Sequence, residues 1–477
     1  MVTLKKRILT ALFGLLAVIF TNAADNFVSF SGGDLLLNKD NTIGVFVDAN
    51  DCRGVMRAAK TLLHDIEMST TNTKAMLAGE NKAKTEKDNG EWIATWATAT
   101  EYTGKGDMPK SGTLTGKSIR QIVHVSIGGK TLRLHLSNEY SKEPVEIKSI
   151  FIADIDESCS PKVEDIGIDI LPKTARYLKF GGKKQLTIAA GETAVSDPLA
   201  YDLKPLQRLA ITISYGETPI NATSHRGSRT TSYIIKGEAQ PKTKFTDIER
   251  EDHWYNIATI DVKAENSSAI ACIGNSITDG RGTTTNLQNR WTDFFAESLQ
   301  SNESTKNLAV LNLGIGGNSV FYGGLSDPAV KRFDRDCLEQ AGVKTVIVFE
   351  GVNDLGGING DAEARAAKII ECYKEFIRKA HDRGMKIYGC TITPFLGSFY
   401  DDGGFFREAA RQTINKWIRE SGEFDGVIDF DSIIRNPSDP TKMKEEYHCG
   451  DWLHPNPEGY KAMGEFAGKE FVKDRSK

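Results

Sequence analysis

Cysteine is scarce in this 477-residue chain: the seven (Cys52, Cys159, Cys272, Cys337, Cys372, Cys390, Cys449) stand singly, with no CxxC pair. That excludes a disulfide scaffold or a cysteine-based zinc framework. An odd number leaves at least one thiol unpaired within a monomer. Cys272 and Cys390 lie in apolar strand-like runs, where inert buried thiols are expected. An excess of one charge is lacking too: 60 Lys and Arg face 64 Asp and Glu, for a formal net charge of -4. A nucleic-acid partner is therefore not expected. No apolar run reaches the roughly 20 residues needed to span a bilayer. ILTALFGLLAVIF follows the basic MVTLKKR and precedes TNAA, which is the arrangement of a secretory signal. Residues 1–23 are read as that signal, giving a secreted or periplasmic protein without stable membrane insertion after cleavage.

What is present divides the chain, which is longer than one hydrophobic core usually serves. Residues 27–78 alternate short apolar runs with CRGVMRAAKTLLHDIEM, where Val55, Ala59, Leu62, Leu63 and Ile66 fall at helical spacing. This small α/β segment is similar to the opening of the N-terminal domain of bacterial xylan glucuronidases. The polar stretch 79–90 reads as a linker. Over 91–262 the period becomes two. QIVHVSIGGKTLRLHLSNEY sets Val123, Val125 and Ile127 against Leu132, Leu134 and Leu136 across Gly128-Gly129, which predicts a hairpin within an antiparallel β-sandwich. From 266 to 475, apolar strands at 268–273, 308–313, 344–350, 385–392 and 426–431 alternate with amphipathic helices. That pattern predicts a parallel sheet covered on both faces, with ligands at the carboxyl ends of its strands.

Four motifs sit at those ends or in the last loop: GNSITDG, GIGGNS, EGVND and GDWLHPNPEGY. A serine hydroxyl needs a base to take its proton, and that base needs a third group to fix its tautomer. Asp451 and His454, three apart in a proline-bounded turn, supply such a pair for Ser276. An oxyanion needs donors already aimed at it, and the backbone N–H of Gly317 and the amide of Asn353 suit that task.

Ser276, Gly317, Asn353 and His454, in that order, resemble the SGNH (GDSL-type) hydrolase superfamily over roughly residues 265 to 473. The resemblance implies a flavodoxin-like α/β/α fold without metal or cofactor. It also implies that Ser276 attacks, that His454 and Asp451 act as base and orienter, and that the N–H of Ser276 joins Gly317 and Asn353 as oxyanion donors. Members often carry Asp before the nucleophile, where this chain has Asn275. The stretch from Trp92 to Ile260 is similar to the β domain that precedes the hydrolase in some secreted bacterial members.

Each residue also has a plainer reading: Ser276 as a helix N-cap, Asn353 as an Asx-turn residue, Gly317 as a tight-turn glycine, and Asp451 with His454 as a surface polar pair. A metal cluster of His448, Cys449, Asp451 and His454 lacks a separated second pair. GIGGNS lacks the last glycine of a dinucleotide loop. The expected activity is a serine esterase whose substrate is an acylated, chiefly O-acetylated, carbohydrate. Tyr322, Phe395, Phe399, Tyr400 and Trp452 could stack on a sugar or serve as packing, while Arg290 and Trp291 are expected to be structural. A lipid acylhydrolase or arylesterase, and an inert glycan-binding protein, remain the alternatives.

Overall fold

Alternating apolar and polar residues between Glu91 and Ala264 build antiparallel sheets in the computed structural model, which describes residues 43–46, 75–78, 90–158, 162–323, 326–357, 360–403 and 406–475. Residues 1–85 form a separate unit. Within it two short parallel strands, Ile43–Phe46 and Ala75–Ala78, are described. The signal expected at 1–23, most of the expected 27–78 segment and nearly all of the expected 79–90 linker lie outside the described residues.

In the second unit, residues 86–477, one sheet centres on Lys117–His124, Arg208–Tyr215 and Val145–Asp154, and another on Gly129–Ser137, Ile257–Ala264 and Glu91–Ala97. Ile119, Val123, Ile150 and Ile211 from the first share a core with Leu132, Leu134, Leu136 and Val262 from the second, as in a β-sandwich. The hairpin expected across Gly128-Gly129 is absent. Lys117–His124 pairs with Arg208–Tyr215 and Ser232–Lys236, whereas Gly129–Ser137 pairs with strands of the opposite sheet. Neither glycine has the positive φ that a two-residue hairpin turn requires. They instead allow close approach, since a Cβ on Gly128 would lie 2.4 Å from the Leu203 carbonyl oxygen.

The second half is a five-stranded parallel sheet: β1 Ser268–Gly274, β2 Leu308–Gly314, β3 Val343–Phe349, β4 Lys386–Cys390 and β5 Gly426–Ile428. Their order is β2-β1-β3-β4-β5, the flavodoxin-like arrangement. The helices are α1 Ser276–Asp279, α2 Trp291–Gln300, α3 Ala329–Phe333, α4 Val352–Gly356, α5 Ala362–Asp382, α6 Phe406–Glu420, α7 Phe430–Ile434 and α8 Pro457–Arg475. Alternation along β1 serves two layers. Ile270 and Cys272 pack with Trp291, Phe295, Tyr460 and Phe471 of α2 and α8, while Ala271 and Ile273 join the core that contains Ile369, Phe376 and Ile377 of α5.

Among the described residues no helix is long and apolar enough to cross a membrane. Cys272, Cys337, Cys372 and Cys390 are buried free thiols, and burial pushes the thiol of Cys372 up to about 11.

Candidate active site

The turn after β1 begins with Asn275, whose side chain caps α1 by accepting from the Ile277 N–H at 3.0 Å. Ser276 is therefore the first helical residue and not the cap itself. Gly280, at φ 101°, ends the helix after one turn.

The loop bearing His454 folds back on this turn. Gly282 lets it come close: a Cβ there would lie 2.3 Å from the Pro455 carbonyl oxygen. The Tyr460 hydroxyl donates to Arg281 O at 2.6 Å. The result is direct contact between residues 178 positions apart, with Ser276 Oγ 2.8 Å from His454 Nε2. On the far side His454 Nδ1 lies 2.6 Å from Asp451 Oδ2, and the N–H groups of Leu453 and His454 donate to Asp451 Oδ1. Burial opposes ionisation of Asp451, but the ring of His454 and those amides hold its carboxyl well below the usual range. A carboxylate there makes Nδ1 the protonated nitrogen and leaves the Nε2 lone pair facing the serine, the arrangement a general base needs. Both Ser276 and His454 are buried, at 8% and 6% exposure.

Gly317 follows β2 with φ 73°, and among the described residues its N–H is given to no acceptor. Asn353 lies on α4, where its Nδ2 donates to Asn318 O at 2.5 Å and its Oδ1 accepts from the Tyr400 hydroxyl at 2.8 Å. This fixes which end of the amide is the donor. The adjacent Asp354 accepts from the N–H of Val320 at 2.7 Å, so EGVND grips the GIGGNS loop at two points. Burial pushes Asp354 up to about 6.

Two further residues support the site, Arg332 outside the four motifs and Glu350 as the first residue of EGVND, for which the motif predicts no role. Arg332 of α3, fully buried, donates to Gly274 O at the end of β1, Leu313 O near the end of β2 and the Asn318 side chain, and pairs with Asp336 at 2.9 Å. Glu350, at the end of β3, accepts from Asn275 Nδ2 at 3.4 Å. Burial pushes its carboxyl up to about 8, with the nearby Asp354 adding to the rise and Arg332, 3.5 Å away, opposing it. Neutral Asn275 suits this neighbour, since an aspartate would place two carboxyls side by side.

Glu350 has a testable consequence. The folded chain keeps its proton up to about pH 8, whereas the unfolded chain releases it near the ordinary value of 4.5. Stability is therefore lost as pH rises across that window. Glu350→Gln should leave the thermal midpoint little changed near pH 5 and raise it by a few degrees at pH 8 and above. A variant less stable than wild type at alkaline pH would show Glu350 to be ionised.

The aromatic residues divide. Phe395 is buried at 2% exposure, whereas Tyr322 and Phe399 are 47% and 70% exposed. Trp452, held at φ 58°, stacks on His448 with ring centroids 4.0 Å apart. Trp291 is packing, fully buried at the start of α2. Arg290 is buried and donates to Asp279 O and Gln288. Among the described residues no group of three or more His, Cys, Asp or Glu could hold a metal ion.

No curated protein matches this chain. Solved structures that resemble it include a carbohydrate acetylesterase family member from Sinorhizobium meliloti (19% identity, 44% of this chain and 98% of that one, TM-score 0.34). A GDSL-like lipase from Bacteroides thetaiotaomicron is similar at 14% identity, 44% and 91% coverage and TM-score 0.33. A carbohydrate esterase family 2 enzyme plus carbohydrate binding domain from Corynascus thermopiles (Myceliophthora fergusii) shares 13% identity over 80% of this chain and 100% of that one, with TM-score 0.34. Residues 272–462 match the family model described as GDSL-like Lipase/Acylhydrolase. The domain that unites Ser276 with His454 thus matches the GDSL-like lipase/acylhydrolase family, and that match supports a carboxylic ester hydrolase.

Proposed function

We propose that the chain is an exported serine esterase that removes O-acyl groups, chiefly O-acetyl, from polysaccharide through an acyl-enzyme. The observation that carries the mechanism is the unbroken path from Ser276 Oγ to His454 Nε2 and from His454 Nδ1 to Asp451. As Oγ attacks the ester carbonyl, Nε2 takes its proton. The carbonyl oxygen becomes an oxyanion, received by the N–H groups of Ser276 and Gly317 and by Asn353 Nδ2. Collapse breaks the carbonyl–alkoxy bond, and the departing sugar hydroxyl takes the proton from His454. Water then repeats the sequence, and the acid leaves with Ser276 restored.

Support for a carbohydrate comes from the exposed rings of Tyr322 and Phe399, suited to stacking on sugar faces, and from the export-type leader. The reading is tested by acetate release from a panel of acetylated polysaccharides, alongside synthetic esters of increasing chain length. We expect acetyl esters to be preferred and kcat/KM to fall with longer chains. A rise beyond about eight carbons, as burial of each methylene contributes about 0.8 kcal/mol, would identify a lipid acylhydrolase instead.

A further inference from the structure

The helix that begins with Ser276 is only four residues long, too short to hold its own conformation. Its last residue, Asp279, is buried at 2% exposure, and both carboxylate oxygens are taken by the antiparallel half. Oδ1 faces His225 Nε2 at 2.8 Å, and Oδ2 accepts from Arg229 Nη2 at 3.0 Å. His225 Nδ1 lies 2.9 Å from Ala99 O. A carbonyl only accepts, so Nδ1 carries hydrogen. Nε2 faces a carboxylate already paired with a guanidinium, so it carries the second, and the buried ring is an imidazolium.

Gly227, between these two residues, presses on the same group: a Cβ there would lie 1.9 Å from Asp279 Oδ2. The carboxylate also borders the GIGGNS loop, with Oδ2 3.6 Å from the position of a Cβ on Gly316. Arg229 holds the sparsely populated φ of 49°, and its carbonyl accepts from the Asn286 N–H at 2.9 Å. Arg290 closes the set by donating to both Asp279 O and Ser228 O. Breaking one member of a buried charged set leaves the others uncompensated, so α1 is held to one position.

We infer that His225 and Arg229 are positioning residues of the esterase: by gripping Asp279 they fix the angle at which Ser276 meets His454. The β-sandwich is then part of the catalytic apparatus and not a detachable binding module. The inference rests on reading Ser276 as the nucleophile.

The test uses the full chain with Arg229→Met, Arg229→Lys, Gly227→Ala and, in parallel, Ser276→Ala. For each, kcat and KM on p-nitrophenyl acetate are measured with the thermal midpoint and the rate at which an organophosphonate labels the serine. Arg229→Met and Gly227→Ala should lower kcat and labelling rate by on the order of tenfold to a hundredfold, with KM within about twofold, while Arg229→Lys recovers most of the loss. Wild-type kcat in folded Arg229→Met overturns the inference. So does a rise in KM alone, which would make Arg229 a substrate-binding group. Should Gly227→Ala not fold, Arg229, whose side chain is 27% exposed, still decides the question. Cleavage by Ser276→Ala at a tenth of the wild-type rate or more would remove the nucleophile reading itself, whereas its loss beside unaffected Arg229→Met and Gly227→Ala removes only the positioning role.

Discussion

Ser276→Ala is expected to lower kcat on an acetyl ester by on the order of 10^4 to 10^6-fold, leaving only what oxyanion donors and substrate binding supply. The loss should be chemical and not structural. Among the described residues the hydroxyl makes one side-chain hydrogen bond, to His454, and Asn275, not Ser276, caps α1. The thermal midpoint should stay within a few degrees of wild type, and labelling by an organophosphonate should vanish. A folded Ser276→Ala protein retaining a tenth of the activity would end the acyl-enzyme proposal at this serine. Loss of labelling together with loss of turnover separates an esterase from an inert glycan-binding protein, which would show neither in the wild type.

The largest effect on stability should come from Arg332→Leu. The arginine is fully buried, and its guanidinium serves Gly274 O, Leu313 O, the Asn318 side chain and Asp336. Leucine fills part of the volume but satisfies none of them. Asp336 keeps Arg335 at 2.6 Å and Gly274 O keeps the Ile315 N–H at 3.0 Å, so neither is wholly abandoned, yet the buried Asn318 amide oxygen loses the donor that both Arg332 nitrogens supply. Removal of one partner from a buried charged network costs about 3–5 kcal/mol, with more for the unsatisfied amide oxygen. We expect the variant to unfold at a midpoint lower by ten degrees or more, or to accumulate as insoluble protein. A near-wild-type midpoint in urea or heat would show that water replaces the guanidinium, and that the ends of β1 and β2 do not depend on it.

The parallel half was legible because its periodicity is local. Strands 308–313 and 344–350 differ from β2 and β3 by a residue at most at either end, and of the face Ile369, Ile370, Tyr373, Phe376, Ile377 and Ala380 that the spacing of α5 predicts, all are buried but Ile370, which is partly so. The predicted strand at 426–431 stops at Ile428 because Asp429 caps α7, accepting from Ser432 N. Its apolar residues could have continued a strand, and the competing cap decided the matter. The hairpin at Gly128-Gly129 failed for a different reason. Alternation reports which face a residue takes, but both sheets of a sandwich turn the same kind of face inward, so it does not say which strand is the partner.

By itself the sequence determined the chemistry on offer and its order along the chain, because a serine after a strand, a glycine turn, an asparagine after a third strand and a DxxH loop are each local patterns. Only the tertiary structure decided the surroundings that give them one geometry. Asp279 meets His225 and Arg229 from 54 and 50 positions away. Arg332 reaches back 58 to Gly274, and Phe395 turns inward where Phe399 stays out. The raised carboxyl of Glu350 likewise follows from total burial near Asp354, which outweighs the opposing charge of Arg332. Charge state, burial and pairing depend on which distant groups share a volume, and no local pattern encodes that.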